Sequence, residues 1–367
     1  MFFRSPEKHS PVLPVQTETS KLMHKDKPTL GWTTTCKVSG ALICFFWMAI
    51  LECTSTRGQS PQCDPKKVVT SAGCIQCHTQ ADAVWKRTPH FISFNTLHRQ
   101  PEAKVIAKKM GIISIKRSDV CVGCHYTQIE KTGSKPKAIS GVSCESCHGA
   151  GRDWVNIHHD YGGPSVTKSL ETPTHAELRL EKSSQNGMRN PKNLFLMAKS
   201  CLTCHTVPNE KLVNIGGHSA GSLDFDFVTW SQGTIRHNFL RSNGQRNATT
   251  DDKRLRIMWV AGLLADLELS TRATAAATQK QNYGITVAKR AARVSLKLYE
   301  VQQKIENPHL EKALIAFSDA ELKINNKEQL EKIADQIEDA GMKFAANAGA
   351  GDLIAIADQL PAESSYK

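Results

Sequence analysis

Eight of the chain's twelve cysteines stand in four copies of one pattern: Cys74-Ile-Gln-Cys77-His78, Cys121-Val-Gly-Cys124-His125, Cys144-Glu-Ser-Cys147-His148 and Cys201-Leu-Thr-Cys204-His205. Two thiols three positions apart on a helical turn can reach the two vinyl groups of one porphyrin, and the imidazole that follows falls beneath the iron. Each copy therefore reads as a covalent c-type haem site, four haems in all. Cys74, Cys77, Cys121, Cys124, Cys144, Cys147, Cys201 and Cys204 are the attachment residues, and His78, His125, His148 and His205 the first axial ligands. A zinc ribbon would pair Cys-x-x-Cys units without needing a histidine after each.

An iron held this way keeps a second axial position, and what fills it decides the chemistry. A second histidine makes a saturated electron carrier, whereas an open site can bind and reduce a small molecule. Beyond the leader, the histidines outside the motifs are His90, His98, His158, His159, His175, His218, His237 and His309. Their number alone does not assign them. His90 lies twelve residues past His78, a helical rise of about 18 Å, which carries it away from its own haem toward another. His158 follows the third motif, whose Gly149 and Gly151 suit a tight turn against a macrocycle.

The elements that must position these residues are expected to be mainly α: an irregular, loop-rich tetrahaem domain over residues 57–249, then a C-terminal helical bundle over 250–345 and a loosely ordered tail over 346–367. Only 18 residues separate His125 from Cys144, which predicts that the second and third haems are neighbours. The longer interval from His148 to Cys201 is rich in Gly, Pro, Ser and Thr and reads as loops and short helices. From Asp251 onward the pattern turns helical. Ile257, Val260, Leu264 and Leu267 make one stripe, and Val287, Ala291, Val294, Leu298, Val301 and Ile305 a longer one. Asn307-Pro308 reads as a cap with proline at the first helical position, leading Leu310, Leu314 and Phe317. Asn326 with Gln329 resembles a capping box before Leu330, Ile333 and Ile337. Three or four antiparallel helices would bury these stripes with no chemistry of their own.

Residues 1–56 read as an export signal: a Lys/His-rich stretch from Lys21 to Lys27, then the apolar run Val38–Leu51, with Met23 as an alternative start. That run reaches only about 21 Å as a helix against a hydrocarbon core of about 30 Å, so cleavage near Thr54, Ser55 and Thr56 is favoured over a span. Membrane contact is expected only through an uncleaved leader. Export agrees with the motifs, because bacteria attach c-type haem outside the cytoplasmic membrane; the expected location is periplasmic.

Net charge is +12. Residues 1–56 hold six Lys/Arg against four Asp/Glu and residues 250–367 hold 16 against 17, so 57–249 carries nearly the whole excess, +11. A basic domain can point to nucleic acid or an acidic partner, but no aromatic residues interleave the basic ones as nucleic-acid binding would want. Haem propionates would answer much of this charge. Nucleic acid is not expected as a partner; redox proteins are.

The segment of residues 70–210 resembles the tetrahaem cytochrome c-554 family of nitrifying bacteria. The resemblance rests on Cys74-x-x-Cys77-His78 followed by Trp85 and His90, on Asp119-Val-Cys-Val-Gly-Cys-His125, and on Gly141-Val-Ser-Cys-Glu-Ser-Cys-His-Gly149 continuing to Gly151-Arg152 and His158. It implies a mostly helical periplasmic electron carrier with stacked haem pairs. It also implies His158 as distal ligand of the first haem, His90 of the fourth, a second haem with no protein distal ligand, and a third served by His218 or His237. Past the fourth motif the resemblance ends, at Gly216-Gly-His218, at Phe225–Phe239 and in the 250–345 helices.

Three functions compete on these residues. One is electron carriage between redox proteins. Another is reduction or oxidation of a nitrogen oxide or hydroxylamine at an open second haem. The third, a membrane-anchored quinol dehydrogenase, would need about 20 apolar residues where this leader has 14. A haem-bearing scaffold whose bundle recruits a larger complex would explain the C-terminal helices but not the irons.

Overall fold

A computed structural model describes residues 63–242, 244–347 and 353–367. The export-signal expectation, with Cys36, Cys44 and Cys53, lies outside them. No helix among the described residues is long and apolar enough to cross a membrane. The described residues belong to one compact unit, and the fold is mainly α.

Short helices carry the motifs. In chain order they are α1 (Ser71–Cys74), α2 (Thr79–Trp85), α3 (Pro89–Thr96), α4 (Pro101–Lys109), α5 (Asp119–His125), α6 (Cys144–His148), α7 (Pro173–Gln185) and α8 (Leu194–His205). The interval between the second and third motifs folds back as a hairpin, β1 (Thr127–Ile129) antiparallel to β2 (Lys137–Ser140), with Gln128 opposite Ala138. Turn residues Thr132-Gly-Ser-Lys-Pro-Lys137 make that reversal cheap. Beyond α8 come α9 (Glu210–Asn214), α10 (Phe227–Ser231), α11 (Asp252–Ala275), α12 (Asn282–Ile305), α13 (Pro308–Ser318) and α14 (Lys327–Asn347). Asn307 caps α13 by accepting from the backbone N–H of His309 and Leu310, with Pro308 at the first position.

The four C-terminal helices, α11 to α14, do more than pack on one another. Leu194, Phe195, Ala198 and Leu202 of α8 share a single core with Val260, Leu264 and Leu267 of α11, Leu298 of α12, Leu310 of α13 and Ile337 and Phe344 of α14. No break in packing separates the helix of the fourth motif from the bundle at residue 250. Helix α11 is buried on nearly every side rather than along one stripe, because α8, α12 and α14 surround it. Its Ser270, Thr271 and Thr274 survive there by donating to carbonyls one turn back, at 2.6–2.8 Å.

The C-terminal residues differ from the loose tail expected. Leu353 and Ile356 enter the same core, and the Lys367 backbone pairs with Thr229 and Thr234. Apolar side chains spaced three apart, rather than the Gly/Ala content before them, decide the order of this stretch.

Candidate haem sites

All nine described cysteines are free. Each motif histidine faces one histidine from elsewhere in the chain. Ring centres are 6.4 Å apart for His78 and His158, 6.3 Å for His125 and His218, 6.2 Å for His148 and His237, and 6.2 Å for His205 and His90. A metal–imidazole bond is about 2.0 Å and the ring centre lies about 1.1 Å beyond the nitrogen, so two rings on opposite sides of one metal ion have centres roughly 6.3 Å apart. Every pair has the spacing that one iron would need.

The structure thus departs from the arrangement the resemblance implies for the second haem, while His237, one of the two histidines open for the third, faces His148. His218 does not compete with His237 for the third motif; it stands opposite His125, where no protein ligand was expected. The physical reason is local. Gly216 and Gly217 let the turn after α9 run close against Met110, Ile106 and Lys109 of α4 and its C-terminal turn, which brings His218 over the second motif. His98, His159, His175 and His309 face no motif histidine; His175 instead bonds Glu171, and His309 lies 3.4 Å from Asn347.

Five of the eight paired rings are fixed through Nδ1, which leaves Nε2 toward the partner ring. His158 bonds the Val155 carbonyl at 2.5 Å, His237 that of Ile235 at 2.7 Å, His218 that of Ser219 at 2.9 Å and His148 that of Arg189 at 3.4 Å; His205 bonds the Ser222 hydroxyl at 2.9 Å. Aromatic rings brace others: Trp85 stacks on His90, Trp154 meets His158 edge-on, and Phe225 stacks on His205. Burial, reinforced by neighbouring imidazoles, lowers His125, His148 and His205 to about 4. They are neutral at pH 7, the form with a lone pair for a metal.

The thiols give the four sites an order. The Cys74 and Cys144 thiols lie close enough to shift each other's titration, as do those of Cys124 and Cys204, where the Cys204 Sγ also donates to the Cys124 carbonyl at 3.8 Å. Cys147 lies within electrostatic reach of Cys201 and Cys204, and the Ser200 hydroxyl donates to the Cys147 carbonyl at 3.2 Å. The series runs first, third, fourth, second. Along the chain the second motif stands beside the third, and the hairpin keeps Thr127 bonded to Ser143 and Ser146; its thiols lie toward the fourth.

Residues between the cysteines do structural work that their spacing conceals. Glu145 is buried, and its carboxylate accepts from the backbone N–H of Val69, Thr70 and Gly151 at 2.9, 2.9 and 2.7 Å. It ties the strand of chain entering the first motif to the third. Gly151 is required there, since a Cβ would come within 2.6 Å of Val69. Ser146 joins Ser143 and Thr127 in a buried hydroxyl cluster that seats α6 on the hairpin. Arg189 closes the other end of α6, donating to the carbonyls of Ser146 and Cys147 at 2.6 and 2.7 Å. In the fourth motif Leu202 sits in the main core, and Arg290 of α12, paired with Asp266, donates to the His205 carbonyl at 3.2 Å. On the histidine side, Gly141 approaches so closely that a Cβ would lie 2.1 Å from the His90 carbonyl oxygen, while Val142 N–H donates to that oxygen at 3.2 Å.

Residues 73–149 match the family described as cytochrome c554 and c-prime. Over 139 residues the chain is 30% identical to the cytochrome c-554 of Nitrosomonas europaea, a match covering 36% of this chain and 54% of that protein. The chain therefore spans about half the length of the curated relative it matches. No solved structure matches it. Residues 73–149, which hold the first three Cys-x-x-Cys-His motifs, are thus similar to the cytochrome c-554 family, and that likeness implies covalently bound c-type haem.

Proposed function

We propose that this protein is a periplasmic tetrahaem electron carrier in which every iron lies between two histidines: His78 with His158, His125 with His218, His148 with His237, and His205 with His90. The observation that carries the reading is the common 6.2–6.4 Å spacing of all four ring pairs. Haem bound there supplies one-electron exchange between ferric and ferrous iron. The chain's own part is to hold the neutral imidazoles, fix their Nε2 atoms through carbonyl and hydroxyl partners, and set the attachment cysteines in the series first, third, fourth, second. A carrier needs no general acid, base or nucleophile. The partners are a donor and an acceptor redox protein. Export is supported by the leader pattern and by where bacteria attach c-type haem.

The competing reading, small-molecule chemistry at an open second haem, requires an axial position that His218 does not take. Haem counting by pyridine haemochrome, a ferric EPR spectrum and carbon monoxide titration of the reduced protein separate the two. Four haems, low-spin signals only and no carbon monoxide bound are expected. Fewer haems would defeat the tetrahaem reading, and a high-spin signal with one carbon monoxide bound would transfer the second site to the enzyme class.

A further inference from the structure

Residues 99–117 carry six cations. Arg99, Lys104, Lys108, Lys109, Lys116 and Arg117 make no ion pair among the described residues, and five of the six side chains are exposed. Lys116 lies 3.7 Å over the Phe94 ring, and Lys116, Arg99 and Lys104 all act electrostatically on His98, so these charges are gathered rather than scattered. By contrast Lys66, Lys67 and Lys86, around the first motif, are each paired with a carboxylate. Mutual repulsion among unpaired cations costs stability, so a protein that keeps them together gains something outside itself.

Their place in the fold says what. Helix α4 and the turn after it cover the second motif: Ala107 and Ile115 share a cluster with Val122, Tyr126 and Cys121, while Met110 and Lys109 border the turn that carries His218. The second site ends the thiol series, so a partner seated on this face would sit at the terminus of the series. Val105 is half exposed and Ile113 fully so, which places apolar side chains amid the basic ones, as in brief protein–protein encounters.

We infer that α4 and its following turn, residues 99–117, form the docking surface for an acidic one-electron redox protein at the second haem. The inference rests on the electron-carrier reading. Positive charge around the exchange site steers an acidic protein to the right face and lets it leave again, raising association by one to three orders of magnitude at low salt.

The test uses the full haem-loaded protein with two reductants: flavodoxin hydroquinone as an acidic protein probe and lumiflavin semiquinone as a small neutral one. The variant K104E/K108E/R117E reverses three exposed cations of this face, and K289E/K312E/K332E reverses three exposed lysines of the bundle with the same change in net charge. Reduction by flavodoxin at low ionic strength is expected to slow about tenfold or more in the first variant and about twofold or less in the second, with the salt dependence flattened only in the first. Lumiflavin rates and haem count should be unchanged in both. Equal slowing in the two variants, or slowing only in the bundle variant, overturns the docking face. So does a shifted redox titration or a lost haem in the first variant, which would assign these cations to the propionates. Binding to anionic phospholipid vesicles that disappears in the first variant, with flavodoxin rates unaltered, would replace the protein partner with a membrane. A haem count below four in the wild type defeats the tetrahaem reading without touching the docking face, which the flavodoxin comparison decides by itself.

Discussion

The first and second motifs stand at opposite ends of the thiol series and are held by opposite means. Helices α1 and α2, around the first motif, bury none of their residues. Their position is borrowed through hydrogen bonds: Glu145 grips the backbone of Val69 and Thr70, and Lys67 pairs with Asp153 at 2.5 Å. The second motif is held by apolar packing of Val122 against Ala107, Ile115 and Tyr126, and its surrounding cations form no ion pair among the described residues. Directional bonds fix one end and non-directional burial the other, so the two should fail under different perturbations.

The largest effect is expected from removing a paired histidine at the second end. His218→Ala should convert a six-coordinate low-spin iron into one that is high-spin in EPR and binds one carbon monoxide per chain, starting from none. The other three low-spin signals should persist, because Gly216 and Gly217 beside it pack on α4 and its following turn, which carry no haem motif, and the Ser222 contact with His205 lies four residues beyond the substituted side chain. If the wild type already binds carbon monoxide, the contrast between a saturated second site and an open one collapses.

Next in size is Glu145→Ala, which strands three backbone N–H groups in a buried setting. At about 1–3 kcal/mol for each unmet donor the loss is about 3–9 kcal/mol, read by denaturant unfolding. Val122→Ala at the other end removes two methyl groups and should cost about 1.5–2 kcal/mol. Spectroscopically the first variant should disturb the first and third sites together, since Glu145 joins them, and the second variant the second site alone. Equal costs at the two ends would erase the distinction between bonded and packed.

Smaller, but specific to geometry, is the shape of the low-spin signals. The His148 and His237 rings are near perpendicular, at 88°, whereas His78 and His158 lie within 24° of parallel. Perpendicular imidazoles give strongly anisotropic signals with one large principal g value, and parallel ones give ordinary rhombic signals. The third site should show the former and the first the latter. Four identical rhombic signals would remove the difference in ring orientation.

These predictions depend unevenly on what the chain reveals unfolded. The eight motif cysteines, their histidines and the four long helices are legible because each depends on local spacing: a five-residue pattern, a 3.6-residue stripe, or Asn307-Pro308 at a helix start. Distal partners are different. His218 and His237 have no local mark that separates them, because the choice is made by which turn Gly216 and Gly217 allow to pack on α4. Glu145 was hidden in plain view as a variable position of a motif; a carboxylate flanked by Cys144 and Ser146 and followed by Gly149 and Gly151 is the one signal that could have exposed it. Leu202 and Arg290 bind the bundle to the fourth motif through tertiary contacts that periodicity cannot register, since a stripe says that a face is covered and not by what.

The smallest expected effect concerns acid, and it follows from the same contrast. Glu171 accepts from Arg179 at 2.6 and 2.7 Å and from His175 at 2.8 Å, while the Arg179 Nη1 donates to the His158 carbonyl at 2.7 Å. The Arg179 guanidinium, with His175 assisting, holds the Glu171 carboxyl down from 4.5 to about 2. Between those values the unfolded chain binds the proton and the folded chain does not, so stability rises with pH across that window. The contribution is complete above the ordinary carboxylate value and is lost as pH falls toward about 2. Arg179→Met removes the main cause of the depression, so the variant should be less stable than the wild type at pH 7, and the gap should narrow between about pH 4.5 and 2. A gap of constant size would mean that Arg179 acts through packing alone. In the wild type the low-spin signal of the first site should fade in acid before that of the second, because the His158 carbonyl depends on a donor whose own anchor is a titrating carboxylate. The packing of Val122 on Ala107 and Ile115 contains no group that acid protonates, so the second site has only its own imidazoles to lose.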